Sequence, residues 1–149
     1  MWFFKKQKKL SEEDEALSEI EQYIESIDIS SATNEDADLF CNNANKLLRK
    51  NYTAHAIKLY KKIIQINPQN YIALSNLGSA YIEEDKYEMA IKVLDDSISI
   101  NPKYTSAWYN LGNAYFYYGL KEKAKDAYAQ VLILDPGHFQ ANNNIKLCH

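Results

Sequence analysis

Asn67-Pro68, Asn101-Pro102 and Asp135-Pro136 follow one another at intervals of 34 residues. A fixed period of that length means repeated supersecondary units, each too small to bury its own apolar face and therefore stacked on the next. Frames beginning at Ala37, Tyr71 and Thr105 keep register along the chain. Position four holds Phe40, Leu74 and Trp108, and positions seven and eight hold Asn43-Ala44, Leu77-Gly78 and Leu111-Gly112. Position eleven holds Leu47, Tyr81 and Tyr115, position twenty Ala56, Ala90 and Ala124, and position twenty-four Tyr60, Leu94 and Tyr128.

This pattern calls for two helices per frame. Large residues at four and eleven fill the space between helices, while small residues at eight and twenty let backbones approach. Position fifteen is Asn51, Asp85 and Gly119. These types best tolerate the left-handed conformation that a tight turn between antiparallel helices requires. The proline at position thirty-two cannot continue a helix and fixes the turn into the next frame.

On these residues the chain resembles the tetratricopeptide repeat (TPR) family, with three repeats at 37–70, 71–104 and 105–138. Ala107 to Tyr115 sits very near the family pattern, whereas repeat one departs from it at Asn43 and Leu47. The resemblance implies an all-α, right-handed superhelix of three helical hairpins. An N-terminal amphipathic helix would precede them. Residues 139–149 resemble the capping helix that closes such arrays, with Ala141, Ile145 and Cys148 turned inward.

Upstream of the repeats, residues 1–10 read as a tail. Trp2, Phe3 and Phe4 beside Lys5, Lys6, Lys8 and Lys9 only weakly suggest contact with an anionic membrane surface, at roughly 1 kcal/mol per lysine, and a plain unanchored terminus is the favoured reading. Ser11, with Asp14 three positions on, has the form of a helix start. It opens an expected helix over 11–29 whose stripe is Ala16, Leu17, Ile20, Tyr23, Ile24 and Ile27. Such a stripe must cover something: the edge of repeat one, the groove, or a second copy. Residues 30–36 form a polar linker, with Thr33 and Asp36 capping the first repeat helix.

In the resembled family the first helix of each repeat lines a concave wall. Carried over, that wall includes Asn42, Asn45 and Leu48, then Asn76, Ser79 and Ile82, then Tyr109, Asn110, Asn113, Phe116 and Tyr117. An amide ladder of Asn42, Asn76 and Asn110 is able to pair with an extended peptide backbone. Asparagine at these places also belongs to the family scaffold, and the scaffold reading is the favoured one. The aromatic row is the more specific feature. A basic clamp for chaperone C-terminal carboxylates would need cations where this chain has Cys41, Ser106 and Asn110. That form of binding is therefore not expected.

Composition limits the remaining classes. The net charge of −3 does not favour nucleic acid. No apolar run reaches the length of a membrane-spanning helix. Cys41 and Cys148 lack metal spacing and read as reduced thiols. His55, His138 and His149 form no ligand or triad pattern, and no phosphate-binding loop is present, so neither catalysis nor a cofactor is expected. Lys58, Lys61, Lys62, Lys121, Lys123 and Lys125 fall on second helices and read as solvated surface. The expected function is a non-catalytic, cytoplasmic adaptor that binds a protein or peptide in its groove. Alternatives are self-assembly through residues 11–29 or the solenoid ends, and a small chaperone like those of type III secretion.

Overall fold

The computed structural model describes residues 2–148, with side chains from Asp14 onward. These residues form eight helices and no strand. In order they are α1 (Trp2–Ser26), α2 (Asn34–Arg49), α3 (Thr53–Ile66), α4 (Tyr71–Glu83), α5 (Tyr87–Ile100), α6 (Thr105–Tyr117), α7 (Lys121–Leu134) and α8 (Phe139–Lys146). α2/α3, α4/α5 and α6/α7 pair as hairpins, and each hairpin packs on the next. α2 touches α4 and α4 touches α6, so the first helices stand side by side as one wall.

The turn inside each hairpin is the one position fifteen anticipates. Asn51, Asp85 and Gly119 have φ of 63°, 56° and 88°. The following amides of Tyr52, Lys86 and Leu120 donate to Leu47, Tyr81 and Tyr115 carbonyls at 2.8–2.9 Å, which closes the helix end in the Schellman manner. Between hairpins, Asn67, Asn101 and Asp135 accept through their side chains from the amide two residues on, fixing the turn around each proline.

Close approach is visible at Gly112. A Cβ there would lie 2.5 Å from Tyr128 Cε1. The fully buried Tyr60, Leu59, Ile63, Leu94, Tyr128 and Val131 fill the hairpin interiors.

α1 corrects the expected layout at both ends. The helix starts at Trp2 and not at Ser11, so Ser11 lies in its interior and does not cap it. No glycine or proline interrupts the chain from Trp2 to Ser26, and lysine and glutamate are good helix formers. The helix stops at Ser26, where Asp28 takes hydrogen bonds from Ser30 and Ser31.

The apolar stripe covers repeat one, the plainest of the three options. Ile24 is only 2% exposed, Ile27 is buried and Ile20 packs beside them. Glu21 meets Lys58 Nζ at 2.9 Å, and Lys62 Nζ donates to the Ile27 carbonyl at 3.1 Å. Asn43 breaks the repeat pattern because it serves this contact: its Nδ2 donates to Tyr23 Oη at 3.1 Å.

The Thr33–Asp36 capping box forms as expected. At the other end, Ala141 and Cys148 are buried and Ile145 packs beside them. Asn142 and Lys146 occupy positions four and eight of this helix, where the repeats hold large apolar and small residues. They leave its outer side polar. Among the described residues no helix is long and apolar enough to cross a membrane.

Candidate functional site: the wall of first helices

Most of the wall's asparagines are used inside the fold. Tyr60 Oη donates to Asn45 Oδ1 at 2.5 Å, and Asn76 Nδ2 of the next repeat donates to the same oxygen at 3.2 Å. Two repeats on, the junction recurs. Tyr128 Oη donates to Asn113 Oδ1 at 2.8 Å, and Asn144 Nδ2 of α8 reaches that oxygen at 3.3 Å.

Repeat two lacks the parts for this arrangement, having Leu94 and Ser79 at the corresponding positions. There Asn110 Nδ2 turns instead to Ser75, 3.4 Å from its Oγ. Asn45, Asn76, Asn110 and Asn113 are thus stitches between repeats, in line with the scaffold reading. Burial pushes the Tyr60 and Tyr128 hydroxyls far above the usual phenol range.

The remaining wall residues divide by exposure. Asn42 is exposed and Ser79 half-buried. Leu48, Ile82 and Phe116 are half-buried, each resting on core residues with one side. Tyr117 is 59% exposed and stacks on Tyr87 with ring centroids 6.0 Å apart. Tyr109 is held at the C-terminal end against His138 and Tyr128. A small cavity of about 70 Å³ opens beside Phe116, Tyr117, Asn144 and Leu147. Cys41 lies in the wall with its thiol pushed up to about 11 by burial and the nearby Asp38. Such a thiol is a poor nucleophile at neutral pH.

A larger cleft of about 540 Å³ lies away from these residues, between α1, α2 and α3. It is lined at frame positions seven, eleven and twenty-three by Asn43, Leu47 and Leu59. The same positions line clefts of about 530 Å³ and 340 Å³ in repeats two and three. A cleft that recurs at each repeat is a consequence of stacking.

Some lysines expected as solvated surface take part in packing. Lys61 Nζ lies 5.9 Å from the Tyr81 ring centre and Lys123 Nζ 5.5 Å from that of Tyr115. His55 Nε2 stands 3.5 Å from Glu21, tying α3 to α1. His138 caps α8, its Nδ1 accepting from the Ala141 amide at 3.2 Å. Among the described residues no cluster of histidine, cysteine or carboxylates is arranged to hold a metal.

Comparison with known proteins agrees with this architecture. A TPR repeat model matches residues 78–119, and two tetratricopeptide repeat models match 105–138 and 59–92. Together they span 59–138. No curated protein sequence matches the chain.

Among solved structures, the first TPR of Spaghetti (RPAP3), bound to the HSP90 peptide SRMEEVD, is 28% identical with a TM-score of 0.77. That match covers 78% of this chain and 93% of that one. The second TPR domain of human RPAP3, in complex with the HSP70 peptide SGPTIEEVD, is 25% identical with a TM-score of 0.73, covering 77% and 97%. The Sgt2 TPR domain from Aspergillus fumigatus is 26% identical with a TM-score of 0.75, covering 78% and 79%.

Proposed function

Because the chain belongs to the tetratricopeptide repeat family, we propose that it is a non-catalytic adaptor holding an extended segment of a partner protein along the wall of α2, α4 and α6. The observation that carries this reading is what the wall keeps once its structural amides are accounted for. Leu48, Ile82 and Phe116 remain partly open, one in each repeat, with Tyr117 beyond them. An extended chain laid across them has an apolar side chain to place at each repeat.

The partner segment is uncharged and carries aliphatic or aromatic residues. The peptide complexes of the RPAP3 domains support a peptide segment as the partner. Cys41, Ser106 and Asn110 leave no cations for a peptide's terminal carboxylate, so the acidic tails those domains hold are a poor match here. Two unpaired cysteines fit a reducing, cytoplasmic setting.

Selection from a peptide library displayed on phage tests the reading. Enriched peptides should be uncharged and apolar. The variant F116A/Y117A should bind them at least tenfold more weakly with its helical signal unchanged. Undiminished binding by that variant would exclude the wall.

A further inference from the structure

The stacking that opens a cleft at every repeat does not decide what lines it. The cleft of about 540 Å³ between α1, α2 and α3 is floored by Ile20 and Tyr23 of α1, Leu47 of α2 and the fully buried Leu59 of α3. Position eleven of the frame is a tyrosine in the other two repeats, and each ring has a lysine ammonium above it: Lys61 over Tyr81 and Lys123 over Tyr115. In repeat one that position is Leu47, which offers no ring for a cation to cover. Apart from Tyr23, the floor is aliphatic.

The rim differs more sharply. Lys46, Arg49 and Lys50 line the cleft from positions ten, thirteen and fourteen of the frame. Repeat two has Ala80, Glu83 and Glu84 at these places, and repeat three has Ala114, Tyr117 and Tyr118. The three cations are exposed, and among the described residues none of them is paired with a carboxylate. Lys46 and Arg49 do lie in the last turn of α2, where positive charge suits the helix dipole. That role does not account for the set, since α4 and α6 end with no basic residue in the last turn. Glu19 lines the cleft from α1 and supplies one negative charge. Three positive charges against one negative leave an excess that suits a single anionic head better than a polyphosphate.

We propose that this cleft binds a single-chain amphiphile with one anionic head, of the fatty-acid class. Lys46, Arg49 and Lys50 hold the carboxylate through charge-assisted bonds. The acyl chain runs over Leu47 and Leu59 towards Tyr23, and burial of its methylenes supplies most of the affinity. From Lys50 back to Asn43, which also lines the cleft, is about 10 Å along α2. That length takes a chain of medium size, and the volume falls within the range of about 300–1,000 Å³ usual for small-molecule sites. An acidic amphipathic helix fits less well, because it would meet cations spread along a groove, and here all three fall within residues 46–50. The site lies apart from Leu48, Ile82 and Phe116 and stands independently of what the wall binds.

Amide NMR spectra titrated with sodium dodecanoate, held below its micelle concentration, test the site. Saturable shifts should centre on residues 46–50 with Ile20 and Leu59. Decanoate and octanoate should bind progressively more weakly, by up to about fourfold for each methylene removed. Dodecyltrimethylammonium has the same tail with the opposite head, and should bind at least tenfold more weakly than dodecanoate. K46E/R49E/K50E changes only exposed side chains and should keep the helical signal while losing at least tenfold in affinity for dodecanoate. Equal binding of the two heads, or undiminished binding by that variant, would overturn the proposal. So would the absence of saturable shifts, or shifts centred on Ile82 and Phe116. Shifts at the cleft that grow with protein concentration alone would overturn it too, by assigning the cleft to a second copy of the chain.

Discussion

The hydroxyl of Tyr128 in α7 donates to Asn113 Oδ1 in α6 at 2.8 Å, and the same oxygen takes Asn144 Nδ2 from α8. Two helices of one repeat and the first helix of the next thus meet on a single amide oxygen. The two changes that break this junction differ in what they leave behind. Y128F removes one donor from an oxygen that keeps another, at a cost of about 1 kcal/mol. N113A leaves a buried hydroxyl with nothing to donate to, and costs about 1–3 kcal/mol. Urea unfolding should rank N113A below Y128F in stability. The reverse order would mean that the junction is not held through this oxygen.

Gly112 should resist substitution for a related reason. An added Cβ meets the Tyr128 ring at 2.5 and 2.6 Å, and that ring is tied at its hydroxyl and fully buried. Alanine gains roughly 1 kcal/mol in helix propensity, but overpacking costs about 1–3 kcal/mol. The net expectation for G112A is a lower melting temperature. Repeat one carries the buried Ala44 at this position, so loss of folding altogether is not expected. A melting temperature above that of the parent would refute the packing argument.

These two sites show which parts of the structure were legible in the sequence. Residues with one physical solution, such as Asn51 and Asp85 at positive φ or Gly112 against Tyr128, announced the hairpins directly. On a helix face, by contrast, asparagine has no single solution. Asn76 and Asn110 suit a ligand's backbone as well as a neighbouring repeat, and the choice depends on whether an oxygen such as that of Asn45 lies in reach. Ser11 with Asp14 misled because the form of a helix start was read there, where helix propensity carries the backbone through from Trp2. Lys61 over Tyr81 was hidden because that contact crosses between repeats.

The wall's missing cations lead to a gain-of-function prediction. The heptapeptide SRMEEVD, bound by the first TPR of Spaghetti, should show no saturable binding to this chain by titration calorimetry. S106K/N110R supplies two positive charges at the third repeat, where Ser106 is exposed. Charge-assisted bonds to the peptide's carboxylates should then produce measurable, salt-sensitive binding. Binding by the parent as tight as by the variant would show that these cations are not what the peptide requires.

Alkali should destabilise the fold in two stages. Burial raises Cys41 from 9.0 to about 11, and raises Tyr60 and Tyr128 well above the ordinary phenol value. In all three the neutral form is the one that packs. A group whose folded value is raised contributes stability that is complete below its unfolded value and is lost as pH climbs towards the folded one. Cys41 should therefore begin to cost stability above about pH 9, and the tyrosines above about pH 10. The measurement is the urea midpoint between about pH 8 and 11. C41A should lessen the first stage, to which Cys148, also raised by burial, contributes the remainder. Y60F and Y128F should lower the midpoint at pH 8 through the lost hydrogen bond, yet flatten its decline above pH 10, so that their curves converge on the parent's. A parent midpoint that stays level through this range would mean that these side chains ionise as freely in the folded chain as in the unfolded one.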